Sequence, residues 1–306
     1  MHSQPDPAPT MSPVVLPRAR ALTDALAVES APPTAAAVAT ARRLLERGLS
    51  DAAVTYAEPV PCLRIRAFDV VQSLGGAARV TGAPFRWTAR TARRRVGLAA
   101  VRSCLAQPGL APGEAVAQVI ADPGGPTGPG PTGPGSCTDW LAGLSPSARA
   151  LVQAEATTWA TAVWTALDWD RLPSPMVGAP DRWWDWHGRA RVAFQGRADL
   201  RIPRVGGGGG AHLVVLDGFP SHASRRALTF GALVDALRSD GADAPSRVIG
   251  WWPDCGKAWV ASVDGGALRA CAEDALGAVR RALRAPGPGT RSLPARALPA
   301  RALPAR

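Results

Sequence analysis

Residues 196–219 read GRADLRIPRVGGGGGAHLVVLDGF, two short apolar runs separated by a run of glycines. This pattern predicts two antiparallel strands, over 189–202 and 212–219, with the glycine run as their turn. Asp199 interrupts the first run and Asp217 ends the second. Because neighbouring strands bring their ends together, we expect the two carboxylates to share a pocket open to solvent. The alternative is that they are only the polar ends of an ordinary hairpin.

The segments around this pair of strands alternate between helical and strand patterns. Helices are predicted over 34–49, 88–106, 145–167, 223–241 and 267–284, and further strands over 62–72, 246–252 and 257–264. From the third of these helices onward the order is α-β-β-α-β-β-α. This order favours an α/β fold with a mixed central sheet flanked by helices.

Composition divides the chain into five predicted regions. In chain order they are a Pro/Ala-rich disordered leader (1–33), a helical N-terminal portion (34–122), a Pro/Gly linker (123–137), an α/β core (138–285) and a disordered basic tail (286–306). The linker contains the tandem repeat PTGPGPTGPG, which is incompatible with the interior of a helix or strand and indicates either a linker or a surface loop. The tail repeats ALPAR and is not expected to fold.

Positive charge is concentrated in two blocks, within a chain of net charge +11. Residues 70–113 and 275–306 each contain seven arginines and no acid. Such blocks suit a polyanion such as DNA, since phosphate contacts supply most non-specific affinity. A solvated helix face and a solubilising tail are the alternative interpretation. The arginines at the start of the 88–106 helix oppose the helix dipole, so they would be more stable beside an anion.

Cysteine spacing and hydropathy give no support to a metal-binding cysteine site, a secreted protein or a membrane-spanning protein. The five cysteines form no CxxC pair, so the sequence gives no support to a zinc or iron–sulfur site. The first residues lack the charged start and apolar core of a signal peptide. No apolar run approaches ~20 residues, the length that spans a membrane. We therefore expect a cytoplasmic protein that has no membrane partner.

The order of helix, GRADL strand, LVVLD strand, helix and strand pair resembles the PD-(D/E)XK nuclease superfamily, particularly its RecB-like branch. Gly196 to Asp199 matches the G-x-x-D segment of that branch, and Leu213 to Asp217 matches the strand that leads into its D-x-K motif. The similarity covers residues 145–284. It implies a restriction-endonuclease-like core in which Asp199 and Asp217 bind Mg²⁺ for phosphodiester hydrolysis.

The sequence departs from this family at the other motif positions. The lysine of D-x-K falls on Phe219. His222 is the residue expected to assist metal binding or proton movement. Arg225 is expected to supply positive charge near the scissile phosphate, although arginine stays protonated and is no base.

The sequence therefore predicts a DNA-associated protein with a degenerate nuclease site and Mg²⁺-dependent hydrolysis if activity persists. A protein partner in a repair complex is a further expectation. The alternative is a non-catalytic protein–protein interaction or scaffolding module.

Overall fold

A computed structural model describes most of the chain between residues 13 and 284. The described residues are 13–15, 19–28, 30–55, 63–75, 87–125, 128–129, 135–188, 191–203 and 209–284. Their helices are α1 (Ala19–Ala27), α2 (Ala35–Thr55), α3 (Ala67–Leu74), α4 (Ala89–Ala106), α5 (Pro112–Ala121), α6 (Cys137–Ala142), α7 (Pro146–Thr165), α8 (His222–Arg226), α9 (Phe230–Arg238) and α10 (Gly265–Arg284). Their strands are β1 (Pro13–Val15), β2 (Leu63–Arg66), β3 (Met176–Val177), β4 (Arg182–His187), β5 (Arg191–Gly196), β6 (Leu200–Ile202), β7 (Ala211–Val215), β8 (Arg247–Trp252) and β9 (Lys257–Ser262).

The larger sheet has the strand order β1-β9-β8-β7-β6-β3. β7 and β8 are parallel, with Val215 opposite Trp251, and the other neighbouring strands are antiparallel. Helices α8 and α9 connect β7 to β8, as a parallel pair requires a crossover. The predicted α/β fold with a mixed sheet flanked by helices is confirmed at this level.

The strand pair predicted from residues 196–219 is confirmed in part. β6 and β7 are antiparallel neighbours, with Leu200 opposite Leu213. However, the predicted strand over 189–202 is two strands, because the chain leaves β5 at Gly196 and enters β6 at Leu200. β5 belongs to a second sheet of order β2-β5-β4, which the sequence did not predict. Most of the glycine turn lies outside the described residues.

The break between β5 and β6 coincides with a close approach of α9. A Cβ atom added at Gly196 would lie 2.8 Å from Cβ of Val234 and 3.2 Å from the carbonyl oxygen of Gly231. A Cβ atom added at Gly231 would in turn lie 2.6 Å from the carbonyl oxygen of Arg197. The glycine of G-x-x-D, Gly196, therefore has a packing role, because no side chain fits between this turn and α9.

We therefore predict that Gly196→Ala lowers the free energy of unfolding by ~1–3 kcal/mol, the usual cost of overpacking a core. Chemical denaturation monitored by tryptophan fluorescence measures this change. Gly124→Ala is the control, since nothing lies within 4 Å of the position that its Cβ would occupy. Gly218→Ala is less informative, because Gly218 has a φ of 73° and alanine would strain the backbone there. Equal stability of the Gly196 and Gly124 variants would contradict the packing role.

Two hydrophobic clusters cover the two faces of the larger sheet. Leu213 and Val215 of β7 belong to the cluster formed with α1, α4, α5 and α7. Val214, between them, belongs to the cluster formed with α2, α9, α10 and the second sheet. This alternation places β7, which precedes Asp217, at the centre of a three-layer arrangement.

The helical predictions are confirmed at α2, α4, α7 and α10, and the strand pair around 253–256 is confirmed at β8 and β9. The predicted helix over 223–241 is also present, but a 3-10 turn at Ala227–Thr229 divides it into α8 and α9.

Three predictions about the N-terminal half need correction. The leader 1–33 is not wholly disordered, because ARALTDALA forms α1 and buries the i, i+4 pair Leu22 and Leu26. The strand predicted over 62–72 continues only to Arg66, where Asp69 accepts a hydrogen bond from the Arg66 N–H at 2.9 Å and α3 begins.

The predicted linker also does not separate two independently packed units, since α4 and α5 share one core with α7. The tail 286–306 lies outside the described residues. None of the helices in the described part of the chain has the length and apolar composition needed to cross a bilayer.

Candidate functional site

The two aspartates of the sequence motifs lie at the same end of the β6–β7 pair. Asp199 immediately precedes β6, and its N–H donates to the carbonyl oxygen of Leu213 at 2.9 Å. Its Oδ2 accepts a hydrogen bond from the N–H of Val215 at 2.8 Å. Asp217 follows β7 by two residues. The carboxylate of Asp199 thus contacts the strand that leads directly into Asp217.

Asp199 is buried and fully hydrogen-bonded. Its side chain is 1% exposed; Oδ1 accepts from Nε of Arg94, and Oδ2 accepts from Nη2 of Arg197 at 3.0 Å. Burial alone would raise the pKa of this carboxyl, but Arg197, Arg94 and the Val215 N–H outweigh burial and hold the pKa below its usual range. Burial and Arg197 lower the pKa of Arg94 to about 10. Both partners are therefore charged at neutral pH.

Asp217 is paired with Arg93, the residue next to Arg94 on α4. Nη2 of Arg93 donates to Oδ1 of Asp217, while Nη1 donates to Oε2 of Glu155 at 3.2 Å. Asp254 is a third acid near this guanidinium, at 4.0 Å, and its Oδ2 accepts from the N–H of Gly218 at 2.8 Å. Burial opposes the charge on Arg93, but these acids outweigh it and raise its pKa.

Helix α4 supplies both guanidinium groups from adjacent positions. Thr88 caps the helix by accepting from the N–H of Thr91, so Arg93 and Arg94 lie in the second turn, beyond the first turn in which the helix dipole acts most strongly. The anions beside them are the carboxylates of Asp217 and Asp199. The sequence signal for these two residues was the cluster of arginines near the start of the predicted helix, which favoured a nearby anion.

The arrangement does not fit a magnesium ion. Mg²⁺ requires carboxylate oxygens in near-octahedral geometry, yet both oxygens of Asp199 are engaged by Arg94, Arg197 and a backbone N–H. The described part of the chain also contains no group of three or more His, Cys, Asp or Glu side chains placed to hold a metal. Magnesium binding by Asp199 and Asp217 stays a prediction from the sequence.

Arg225 and His222, which were expected to assist at the site, interact with other residues. The guanidinium of Arg225 lies 4.1 Å from the ring centroid of Trp259, and its Nε donates to the carbonyl oxygen of Ser221 at 3.2 Å. His222 begins α8, is exposed, and contributes to the electrostatics of Asp274 on α10. Phe219, at the position of the family's lysine, is 76% exposed.

A second charged group, which the sequence analysis missed, lies beneath α9. Asp235 is fully buried, and its Oδ2 lies 3.3 Å from Nε2 of His212, 3.4 Å from Nε of Arg201 and 3.6 Å from Nη1 of Arg182. Burial, followed by the charges of Arg201 and Arg182, lowers the pKa of His212 to about 3. His212 is therefore neutral at physiological pH, and its Nε2–H can donate to Asp235.

Comparisons with protein-family models, with curated proteins and with solved structures found no match to this chain.

Proposed function

We propose that this chain is a DNA-associated protein with a RecB-like PD-(D/E)XK nuclease fold in which arginine ion pairs have replaced the catalytic metal. The observation that carries the proposal is the pairing of Asp199 with Arg94 and of Asp217 with Arg93. Two adjacent residues of α4 thereby neutralise the two acids that match the nuclease motifs. A guanidinium supplies positive charge to a carboxylate, but it provides no activated water for hydrolysis.

The order of elements supports the nuclease-fold part of the proposal. Over the region of resemblance the chain runs through α7, β6, β7, α8 with α9, β8, β9 and α10, although β3, β4 and β5 intervene between α7 and β6. The G-x-x-D aspartate lies at the start of β6, and the D-x-K aspartate follows β7. Both acids lie at one end of adjacent strands, as the resemblance implies.

The distribution of charge supports association with DNA. On α4, Arg93 and Arg94 are paired with acids. Three further arginines of this helix are exposed: Arg90, Arg95 and Arg102. The tail adds arginines at four positions after residue 284 without any acid. Exposed guanidinium groups bind phosphate oxygens through paired hydrogen bonds and charge, independently of base sequence.

A DNA-binding titration tests this proposal. We expect a labelled duplex to bind with a negative slope of log K against log salt, about 0.9 per phosphate contact. The same duplex incubated with Mg²⁺ or Mn²⁺ is expected to keep its length. Metal-dependent cleavage that disappears in Asp199→Ala would instead establish a nuclease, and absence of DNA binding would remove the proposal.

The interaction-module alternative has one supporting observation. Phe68 on α3 and Phe219 before α8 are 66% and 76% exposed, and large exposed apolar side chains occur at protein interfaces. A flat salt response in the DNA titration, together with no cleavage, would favour this alternative.

A further inference from the structure

The second sheet, β2-β5-β4, has one face packed on the core and one face directed away from it. Leu63, Ile65 and Phe194 point inward, because they belong to the hydrophobic cluster that includes α9 and α10. Side chains along a strand alternate between the two faces, so the residues between them point outward. Among the outward residues of the described strands, Trp183 and Ala193 are the only apolar ones. The outer face is therefore polar, with one large aromatic ring.

That ring is paired with an arginine from the opposite edge of the sheet. Arg64 of β2 lies opposite Ala193 of β5, and its guanidinium lies 5.5 Å from the ring centroid of Trp183 on β4. The small side chain of Ala193 leaves room for the two longer ones to meet above it, and Ala193 is accordingly buried. Arg64 and Trp183 are each only half-buried. The outer face thus presents a ring and a guanidinium side by side to solvent.

Positive charge dominates this outer face. Its charged side chains are those of Arg64, Arg66, Arg191 and Asp185, so three cations and one anion leave a formal charge of +2. Nη2 of Arg191 lies 3.2 Å from Oδ2 of Asp185, whereas the ring beside Arg64 does not neutralise that arginine. Arg66 is exposed. The face is therefore complementary in charge to a polyanion.

The outer face is continuous with the paired acids at the end of β6 and β7. Nε2 of Gln195, an outward residue of β5, donates to Oδ2 of Asp181 at 2.6 Å. Burial lowers the pKa of Arg94, and Asp181 is one of the acids that oppose this effect. Arg94 is in turn the partner of Asp199. A ligand on the outer face would therefore lie beside the site that matches the nuclease motifs.

We infer that the outer face of the second sheet binds single-stranded DNA, with a base stacked on Trp183 and Arg64 and a phosphate bound by Arg66. This inference rests on the proposed association with DNA. Aromatic rings and guanidinium groups stack on unpaired bases, and flanking arginines bind the backbone. A duplex fits this surface less well, because its bases are already stacked on one another. A protein partner also fits less well, since the core of a protein interface is depleted in charged residues.

Two substitutions at Trp183 test the stacking contact. Trp183→Leu keeps an apolar side chain but removes the ring, whereas Trp183→Phe keeps a ring on which a base can stack. We expect Trp183→Leu to weaken binding of a labelled oligothymidylate by about tenfold, and Trp183→Phe to restore most of the affinity. Fluorescence anisotropy measures both, and thermal denaturation checks that both variants fold. Binding of a duplex of the same length should be the same in both variants, because its bases are paired.

Arg66→Gln, compared with Arg269→Gln, tests the phosphate contact. Both arginines are exposed, but Arg269 belongs to α10 and not to the second sheet. A plot of log K against log salt for the oligothymidylate should lose about 0.7 of its slope in the Arg66 variant. The slope of the Arg269 variant should equal that of the wild type.

The outcomes separate this inference from the proposed function. Salt-dependent duplex binding, with oligothymidylate binding that is absent or equally strong in Trp183→Leu, would overturn the single-strand site alone. Equal losses in the Leu and Phe variants would also overturn it, since stacking would not be the cause. No binding of either probe by the wild type would overturn both proposals. A preference for oligouridylate over oligothymidylate that is lost in Trp183→Leu would assign the face to RNA instead.

Discussion

Asp199→Ala is expected to lower the free energy of unfolding by about 3–5 kcal/mol, the usual cost of removing one partner from a buried ion pair. The loss has three sources. Arg94 and Arg197 would lose the carboxylate that balances their charges, and the N–H of Val215 would lose its acceptor. Urea denaturation of the wild type and the variant measures the change.

Asp217→Ala is the matched control for this experiment. Its side chain is 49% exposed, and Arg93 keeps Glu155 as a partner at 3.2 Å. We therefore expect a loss within about 1 kcal/mol, as for exposed ion pairs. If Asp199→Ala were neutral or stabilising, as when repulsion between two metal-binding carboxylates is relieved, the ion-pair interpretation of the site would be wrong.

The stability of the fold is expected to decrease as the pH falls below about 6.5, because of His212. The pKa of His212 is about 3 in the folded protein, whereas an unfolded histidine has a pKa of about 6.5. Between these values the unfolded state binds a proton that the folded state does not, so acid favours unfolding. The expected loss is about 1.4 kcal/mol per pH unit, or about 2 kcal/mol from pH 6.5 to pH 5.

His212→Gln isolates this effect, because the amide nitrogen of glutamine can donate to Asp235 in place of Nε2 and does not titrate. Urea denaturation at several pH values between about 5 and 7.5 should show the wild-type stability falling relative to the variant by about 2 kcal/mol. Parallel pH curves for the two proteins would show that His212 takes up a proton in the folded state, contrary to this account.

Local patterns in the sequence were sufficient to predict much of the secondary structure. The apolar periodicity of residues 145–167 predicted α7, and Ser145 caps that helix by accepting from the N–H of Ala148. The short apolar runs predicted β7, β8 and β9. These predictions depend on residues close in sequence, which is where hydrophobic period and capping carry information.

Contacts between distant residues could not be predicted in the same way. The split between β5 and β6 depends on Gly196 meeting α9, a helix more than thirty residues later. The pairing of Arg94 with Asp199 spans 105 residues, so the sequence could indicate only that α4 favours an anion near its start. The strand pattern was sufficient to predict that Asp199 and Asp217 lie at the same end of β6 and β7. The expectation that they share a pocket open to solvent was wrong, because Asp199 is 1% exposed and is paired with arginines.

Calorimetric titration with Mn²⁺ tests the central claim most directly, since it asks whether the two acids are available to a metal. Because guanidinium groups already neutralise Asp199 and Asp217, we predict no saturable heat of binding for the wild-type chain. Saturable Mn²⁺ binding that is lost in both Asp199→Asn and Asp217→Asn would contradict the account and would restore the metal site that the sequence motifs imply.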